Sequence, residues 1–183
     1  MSRLLLALLW LPSAQAAPPW SLPAADLVQA TAPRIACSAP WCEGEIVIDA
    51  PRSVIVATLL DFDRYTEIFP RVRSAVTVSA GVLHLTMAMP FPLSDRDYVV
   101  QMVNVGDELY FEPVSHPITS ETVRLPDFAG RWILTPDGHG GTVVRYIWHT
   151  DLGTDIPGWA THRAWIVQGN EVLRRLKQAL EQK

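Results

Sequence analysis

Charged residues are scarce in this 183-residue sequence, and the basic ones are scarcer than the acidic ones. Lys and Arg number 15 against 19 Asp and Glu, the formal net charge is −4, and no Lys/Arg cluster stands out. Because nucleic-acid-binding proteins present basic patches to the phosphate backbone, we predict no nucleic-acid partner. Hydrophobic residues make up 49%, which is enough for the core of one domain and argues against a disordered chain.

The apolar run at the N-terminus is too short to span a bilayer. It lies in "MSRLLLALLWLPSAQA", residues 1–16, which has the order of a positive charge, an apolar stretch and an A-x-A site. This order is typical of a secretory signal peptide, and no nearby cysteine indicates a lipid anchor. A buried N-terminal helix is disfavoured by prolines at positions 12, 18 and 19. We predict cleavage after Ala16 and a periplasmic or secreted mature protein.

Cysteine is nearly absent, since the chain has only Cys37 and Cys42. A structural zinc site needs four ligands, and no nearby His or Cys completes the set. The redox-active C-x-x-C spacing is also missing. We therefore predict a structural disulfide, as an oxidising compartment permits, which contributes about 2 kcal/mol by loop closure.

Motifs for covalent chemistry are missing as well. The sequence has no G-x-S-x-G elbow and no Gly-rich phosphate loop. No group of acidic and basic residues comes together on the strand faces that are predicted, as described below, to point inward. We predict no cofactor, no metal site and no catalytic residue.

Hydrophobic periodicity predicts an α+β domain. After a first strand in "GEIVIDAP", the pattern indicates helices at 51–60 and 62–68. Six strands of an antiparallel meander are predicted at 72–79, 82–89, 97–105, 108–115, 129–135 and 141–150. The period then changes to that of a helix, which we expect to run from about Pro157 to Gln182 with Gly169 inside it. A curved sheet that wraps the long helix would bury both apolar faces.

Three stretches in this order resemble one superfamily. They are "IVIDAPRSVIVATLLDFDRYTEIFPRV", "PFPLSDRDYVV" and "GRWILTPDGHGGTVVRYIWHTDLGTDIPGW". Together they are similar to the StAR-related lipid-transfer (START), polyketide-cyclase and Bet v 1-like proteins, over roughly residues 43 to 180. The resemblance implies a helix-grip fold, in which a curved antiparallel sheet wraps a long C-terminal helix around a cavity for a lipid. We accordingly divide the chain into a signal peptide (1–16), a Pro/Ala-rich lead-in that contains the two cysteines (17–42) and a START-like domain (43–183).

Strand alternation predicts which side chains face the cavity. The candidates are mostly bulky apolar or aromatic groups: Leu85, Met87, Arg96, Tyr98, Val100, Met102, Phe111, Trp132, Tyr146, Trp148 and Ile166. Arg96 lies at the start of its predicted strand, between Asp95 and Asp97. It would either receive a polar lipid head group or close the turn with Asp95. We expect a cavity of a few hundred Å³, entered between residues 90–95 and the start of the last helix.

Three functions fit these features. We predict binding and transport of a lipid or other apolar small molecule without chemical turnover, by a monomer that makes transient contact with membranes. The rival is an enzyme of the cyclase, aromatase or dehydratase kind on the same fold, since fold does not settle function. A protein-interaction module would instead have a solid core.

Overall fold

A nine-stranded sheet and one long helix make up most of the structure. The computed structural model describes residues 32–38, 40–89, 94–117, 122–125, 127–151 and 156–182. The strands are β1 (Arg34–Ser38), β2 (Trp41–Ile48), β3 (Val72–Ser79), β4 (Val82–Met87), β5 (Arg96–Val105), β6 (Glu108–Pro113), β7 (Val123–Arg124), β8 (Phe128–Pro136) and β9 (Thr142–Thr150). The helices are α1 (Arg52–Leu60), α2 (Tyr65–Ile68) and α3 (Gly158–Glu181), with a 3₁₀ turn at Phe62–Arg64 before α2.

The sheet is curved and unclosed, and its strand order is β1-β2-β9-β8-β6-β5-β4-β3. Every pairing along this path is antiparallel, and the two-residue β7 adds a short parallel pairing to the start of β5. The concave face wraps α3. The predicted α+β helix-grip fold is therefore confirmed, and the predicted elements that follow the first strand all exist within a few residues of their expected bounds.

The long helix α3 buries one stripe against the sheet. Trp165, Gly169, Leu173 and Leu176 are its buried residues, and their spacing of four, four and three is that of one helix face. Gly169 has a packing reason, because a Cβ atom built there would lie 2.2 Å from the Trp148 ring. Gly169 thus lets α3 pack closely against an aromatic ring on β9.

The N-terminal edge of the sheet is a hairpin that carries the disulfide. Cys37 on β1 and Cys42 on β2 are paired in register and bonded, as predicted. The strand at Arg34–Ser38 was not predicted, because this stretch was assigned to the Pro/Ala-rich lead-in. The predicted signal peptide and the lead-in up to residue 31 lie outside the described residues. No helix in the described part of the chain is long and apolar enough to cross a membrane.

The convex face of the sheet carries buried charges. Glu43 on β2 is fully buried and accepts hydrogen bonds from two nitrogens of Arg145 on β9, while Glu45 lies 3.5 Å from the Nε of the same arginine. On β5, Asp97 is fully buried and accepts a hydrogen bond of 2.7 Å from Thr86. These side chains point away from α3, so the charges are kept off the concave face.

Candidate functional site

A ladder of aromatic rings crosses the concave face of the sheet. Trp132 and Trp148 stack on the two sides of Tyr146, with ring centroids 4.1 and 4.6 Å away. Phe111 and Phe128 continue the ladder, with their centroids 4.9 Å apart. The ladder follows from strand alternation, because inward positions of β6, β8 and β9 carry these rings side by side.

An apolar pocket lies between this ladder and α3. Its volume is about 70 Å³. Its wall consists of Tyr65, Phe69, Val72, Leu83, Leu85, Met87, Val100, Met102, Phe111, Phe128, Trp132, Tyr146, Gln168 and Val172. Among the described residues, this wall contains no carboxylate, histidine or amine, and Gln168 supplies its only amide side chain. It can therefore hold an apolar molecule but offers few groups that could react with one.

Two phenols are the titratable groups of the pocket wall. Burial raises the pKa of both Tyr65 and Tyr146 well above the usual value for tyrosine. The Tyr65 hydroxyl is also occupied, since it donates a hydrogen bond of 2.6 Å to the Leu59 carbonyl. Both phenols stay neutral near pH 7, so they can donate hydrogen bonds but cannot act as general bases there.

A second, larger groove adjoins the pocket at the surface. It has a volume of about 270 Å³ and shares Met87 and Gln168 with the pocket wall. Its other lining residues come from four segments: Arg71, Ala88, Met89, Tyr98, Trp159, Ala160, Arg163, Ala164 and Val167. The groove thus lies beside the first turns of α3. This is one side of the entrance that the sequence suggested, whereas residues 90–93 lie outside the described residues.

The predicted cavity residues occupy three kinds of position. Seven of them line the pocket: Leu85, Met87, Val100, Met102, Phe111, Trp132 and Tyr146. Tyr98 lines the groove instead. Trp148 is buried beneath Gly169, and Ile166 is half-buried on α3, and neither belongs to the pocket or the groove. Contact of any of these residues with a ligand stays a prediction.

Arg96 lies outside both walls, although its guanidinium is mostly buried. Its NH1 nitrogen donates to the backbone oxygen and the hydroxyl of Ser94, at 2.7 and 2.8 Å. The suggested pairing with Asp95 is wrong, because Asp95 accepts from the backbone N–H of Met89 and lies 3.9 Å from Arg73. Arg96 therefore closes its own turn through Ser94, and the Asp95-Arg96-Asp97 stretch is a set of local contacts at the start of β5.

Several pocket residues were missed in the sequence analysis. Tyr65 and Phe69 lie one helical turn apart on and just after α2, and their rings are 5.1 Å apart. Val72 follows on β3, Phe128 opens β8, and Gln168 faces the pocket from α3. The i, i+4 aromatic pair in "YTEIF" was a usable signal, because it gives the short helix one apolar face.

One family model matches residues 42–181 of the chain. Its description is polyketide cyclase / dehydrase and lipid transport. The chain belongs to this family. The match spans β2 to the end of α3, so it includes both the pocket and the groove.

The chain is also similar to individual proteins. An uncharacterized protein of Pseudomonas aeruginosa is 29% identical over 102 residues, which is 52% of this chain and 50% of that protein. The chain thus spans about half the length of the curated relative that it matches. Two solved structures show the same fold, and their identity is too low to carry function over.

The first structure is a STAR-related lipid transfer protein from Xanthomonas axonopodis. It has a TM-score of 0.68 and 24% identity, and the match covers 81% of this chain and 92% of that one. The second is the lipid transfer and protein localization domain of human StarD13. It has a TM-score of 0.65 and 18% identity, and the match covers 77% of both chains.

Proposed function

We propose that this protein binds a lipid or another apolar small molecule between its concave sheet and α3, and carries it without chemical change. The observation that carries the proposal is the pocket wall, whose described residues are apolar or aromatic except for two phenols and one amide. Family membership supports it, because lipid transport is part of the family description. The disulfide is consistent with work in an oxidising compartment, as is the signal peptide that the sequence predicts.

The ligand must enlarge the pocket when it enters. A volume of about 70 Å³ is well below the few hundred Å³ that the sequence led us to expect, and below the roughly 300–1,000 Å³ of drug-sized ligand sites. Together with the adjoining groove, the space reaches the lower end of that range. Met87 and Met102 line the pocket and are unbranched, so they can change rotamer to admit a chain.

The entrance lies at the groove, beside the first turns of α3. Trp159 is 75% exposed there and Val167 is 47% exposed. Exposed tryptophan is suited to the boundary between lipid and water, because its ring is apolar and its N–H is polar. We therefore propose that this rim touches a membrane transiently while a lipid enters or leaves, and that the protein does so as a monomer.

Filling the pocket tests the proposal. Val172 lines the pocket from α3, so Val172→Trp should occupy its space. We expect a fluorescent sterol or fatty acid to bind the delipidated wild type at one saturable site, and to bind Val172→Trp at least tenfold more weakly. Val105→Trp is the control, because Val105 is exposed and lies outside both walls. Equal binding by both variants, or no binding by several lipid classes, would reject the proposal.

The same assay separates a carrier from an enzyme. Mass spectrometry of the recovered ligand should show it unchanged after long incubation. Tyr146→Phe keeps the stacked ring and removes the phenol that faces the pocket. A product that forms with the wild type and disappears in Tyr146→Phe would make the protein a cyclase- or dehydratase-like enzyme.

A further inference from the structure

The groove beside α3 is a basic site on an acidic protein. The described residues of its wall include Arg71 and Arg163 and no carboxylate, whereas the whole chain has a net charge of −4. We propose that this groove holds the anionic head group of a single-chain amphiphile whose tail lies in the pocket. The inference rests on the proposed function and adds the chemical class of the ligand, an aliphatic carboxylate or phosphate.

Arg163 is the free cation of the groove. It is exposed on α3 and makes no hydrogen bond or ion pair with any described residue. Trp159 and Val167 lie one turn before and one turn after it, so the three side chains share one helix face. An arginine in this position can donate paired hydrogen bonds to a carboxylate or phosphate.

Arg71 is the second cation and is partly neutralised. Its Nε lies 2.5 Å from a carboxylate oxygen of Glu171 on α3. The terminal nitrogens of Arg71 have no partner in the described part of the chain, so they stay available to a ligand. Because Glu171 cancels one of the two positive charges, one net positive charge is left for an anion.

The nearby carboxylate of Asp95 does not compete for the groove. It accepts a hydrogen bond of 3.2 Å from the backbone N–H of Met89 and faces Arg73 at 3.9 Å. The boundary between groove and pocket is Met87 and Gln168, which border both. A head group at the arginines would thus lie next to the point where an aliphatic tail passes Met87 into the pocket.

The structure therefore assigns the head group to residues other than Arg96. The guanidinium of Arg96 is held by Ser94 and belongs to neither wall. A ligand with a neutral head would gain only the apolar contacts of the pocket. A ligand with an anionic head would gain charge-assisted hydrogen bonds in addition, and these are stronger than neutral ones.

Three C16 probes test the inference on the full mature chain. Hexadecanoate, hexadecyl phosphate and hexadecan-1-ol share one tail and differ in the head. Each is titrated below its critical micelle concentration in competition with a fluorescent probe. We expect both anions to bind about tenfold more tightly than the alcohol, and the preference to shrink as NaCl is raised.

Charge variants then locate the effect. Arg163→Glu should weaken both anions about tenfold and change the alcohol less than twofold. Glu171→Gln should tighten both anions, because it releases Arg71. Arg174→Glu is the matched control on the same helix, exposed and outside the groove wall, and should leave the preference for anions unchanged.

The outcomes separate the inference from the proposed function. If all three probes bind alike and Arg163→Glu changes nothing, the head-group site is overturned while lipid binding stands. If no probe binds, both are overturned. A loss of anion binding in Arg163→Glu supports the site, and the tighter of the two anions then identifies the head group as carboxylate or phosphate.

Discussion

Both faces of the sheet carry buried side chains, but these are buried in different ways. On the convex face, Glu43 and Arg145 form an ion pair in which the carboxylate has no exposed surface. On the concave face, Trp132 and Tyr146 are also buried, at 5% exposure each, but border unfilled space. The first face is held by directional contacts between charges, and the second by ring stacking and apolar packing.

This difference shows which face can change shape. A buried charge needs its partner at a fixed position, because an unpaired charge in the interior is costly. Dispersion contacts between rings and methionines are individually weak and not directional, so they can be exchanged for contacts with a ligand. The side chains of the concave face can therefore rearrange around a ligand, while the ion pairs of the convex face hold the strands in position.

Breaking the ion pair on the convex face should have the largest effect. Arg145→Met leaves the buried carboxylate of Glu43 without its partner, and we expect a loss of about 3 kcal/mol in the free energy of unfolding, measured in urea. The double variant Glu43→Gln, Arg145→Met should recover much of this loss. A loss under about 1 kcal/mol in Arg145→Met would show that the pair is not desolvated as described.

Truncating the aromatic ladder should cost nearly as much. Trp132 is 5% exposed and stacks on Tyr146, so Trp132→Ala should lower the free energy of unfolding by about 3 kcal/mol. The same change enlarges the pocket, and we expect the variant to accept a bulkier ligand. Trp159→Ala, at the exposed start of α3, should change stability by less than about 0.5 kcal/mol. Similar losses in the two variants would remove the distinction between core and rim.

Crowding the contact between α3 and the sheet should have a smaller effect. A methyl group at Gly169 would meet the Trp148 ring at 2.2 Å, although alanine favours a helix by about 1 kcal/mol over glycine. We expect Gly169→Ala to lose about 2 kcal/mol by thermal unfolding, because the ring must shift. Gly158→Ala meets open space and serves as the control. An unchanged melting temperature in Gly169→Ala would mean that α3 and the ladder are loosely packed.

The smallest effect is a pH dependence on the convex face. Burial raises the pKa of the Glu45 carboxyl above 4.5, and the neighbouring Glu43 adds to this while Arg145 opposes it. A raised pKa means that the folded state holds the proton more tightly, so this contribution to stability is complete below pH 4.5 and is lost as pH rises through the folded pKa. Glu45→Gln cannot titrate and should lack this decline. Parallel urea midpoints for the two proteins between pH 4 and pH 7 would contradict it.

The sequence predicted which side chains point to the concave face where strand alternation holds along a whole strand. Alternation in β5 correctly grouped Tyr98, Val100 and Met102 on the inner side, because the side-chain period of a strand is two. It could not predict the partner of Arg96, since that depends on how the preceding turn places Ser94. Nor did it indicate that Tyr65 and Gln168 meet at one pocket, because their elements are joined only by tertiary packing.

The volume of the pocket could not be predicted from the sequence for a related reason. Composition and periodicity indicate that Met87, Trp132 and Val172 face inward, but the volume left between them depends on how α3 seats against the sheet. Gly169 is important for the distance between α3 and the sheet, because it lets the helix approach Trp148 closely. The sequence therefore predicted a cavity where the structure has a small pocket and a groove.

The most direct test of the central claim is native mass spectrometry of the protein, purified without detergent from the cells that naturally produce it. The account predicts one lipid per chain, lost from the Val172→Trp variant and recovered chemically unchanged by organic extraction. A wild-type chain that carries no small molecule, even after incubation with a total lipid extract, would contradict it.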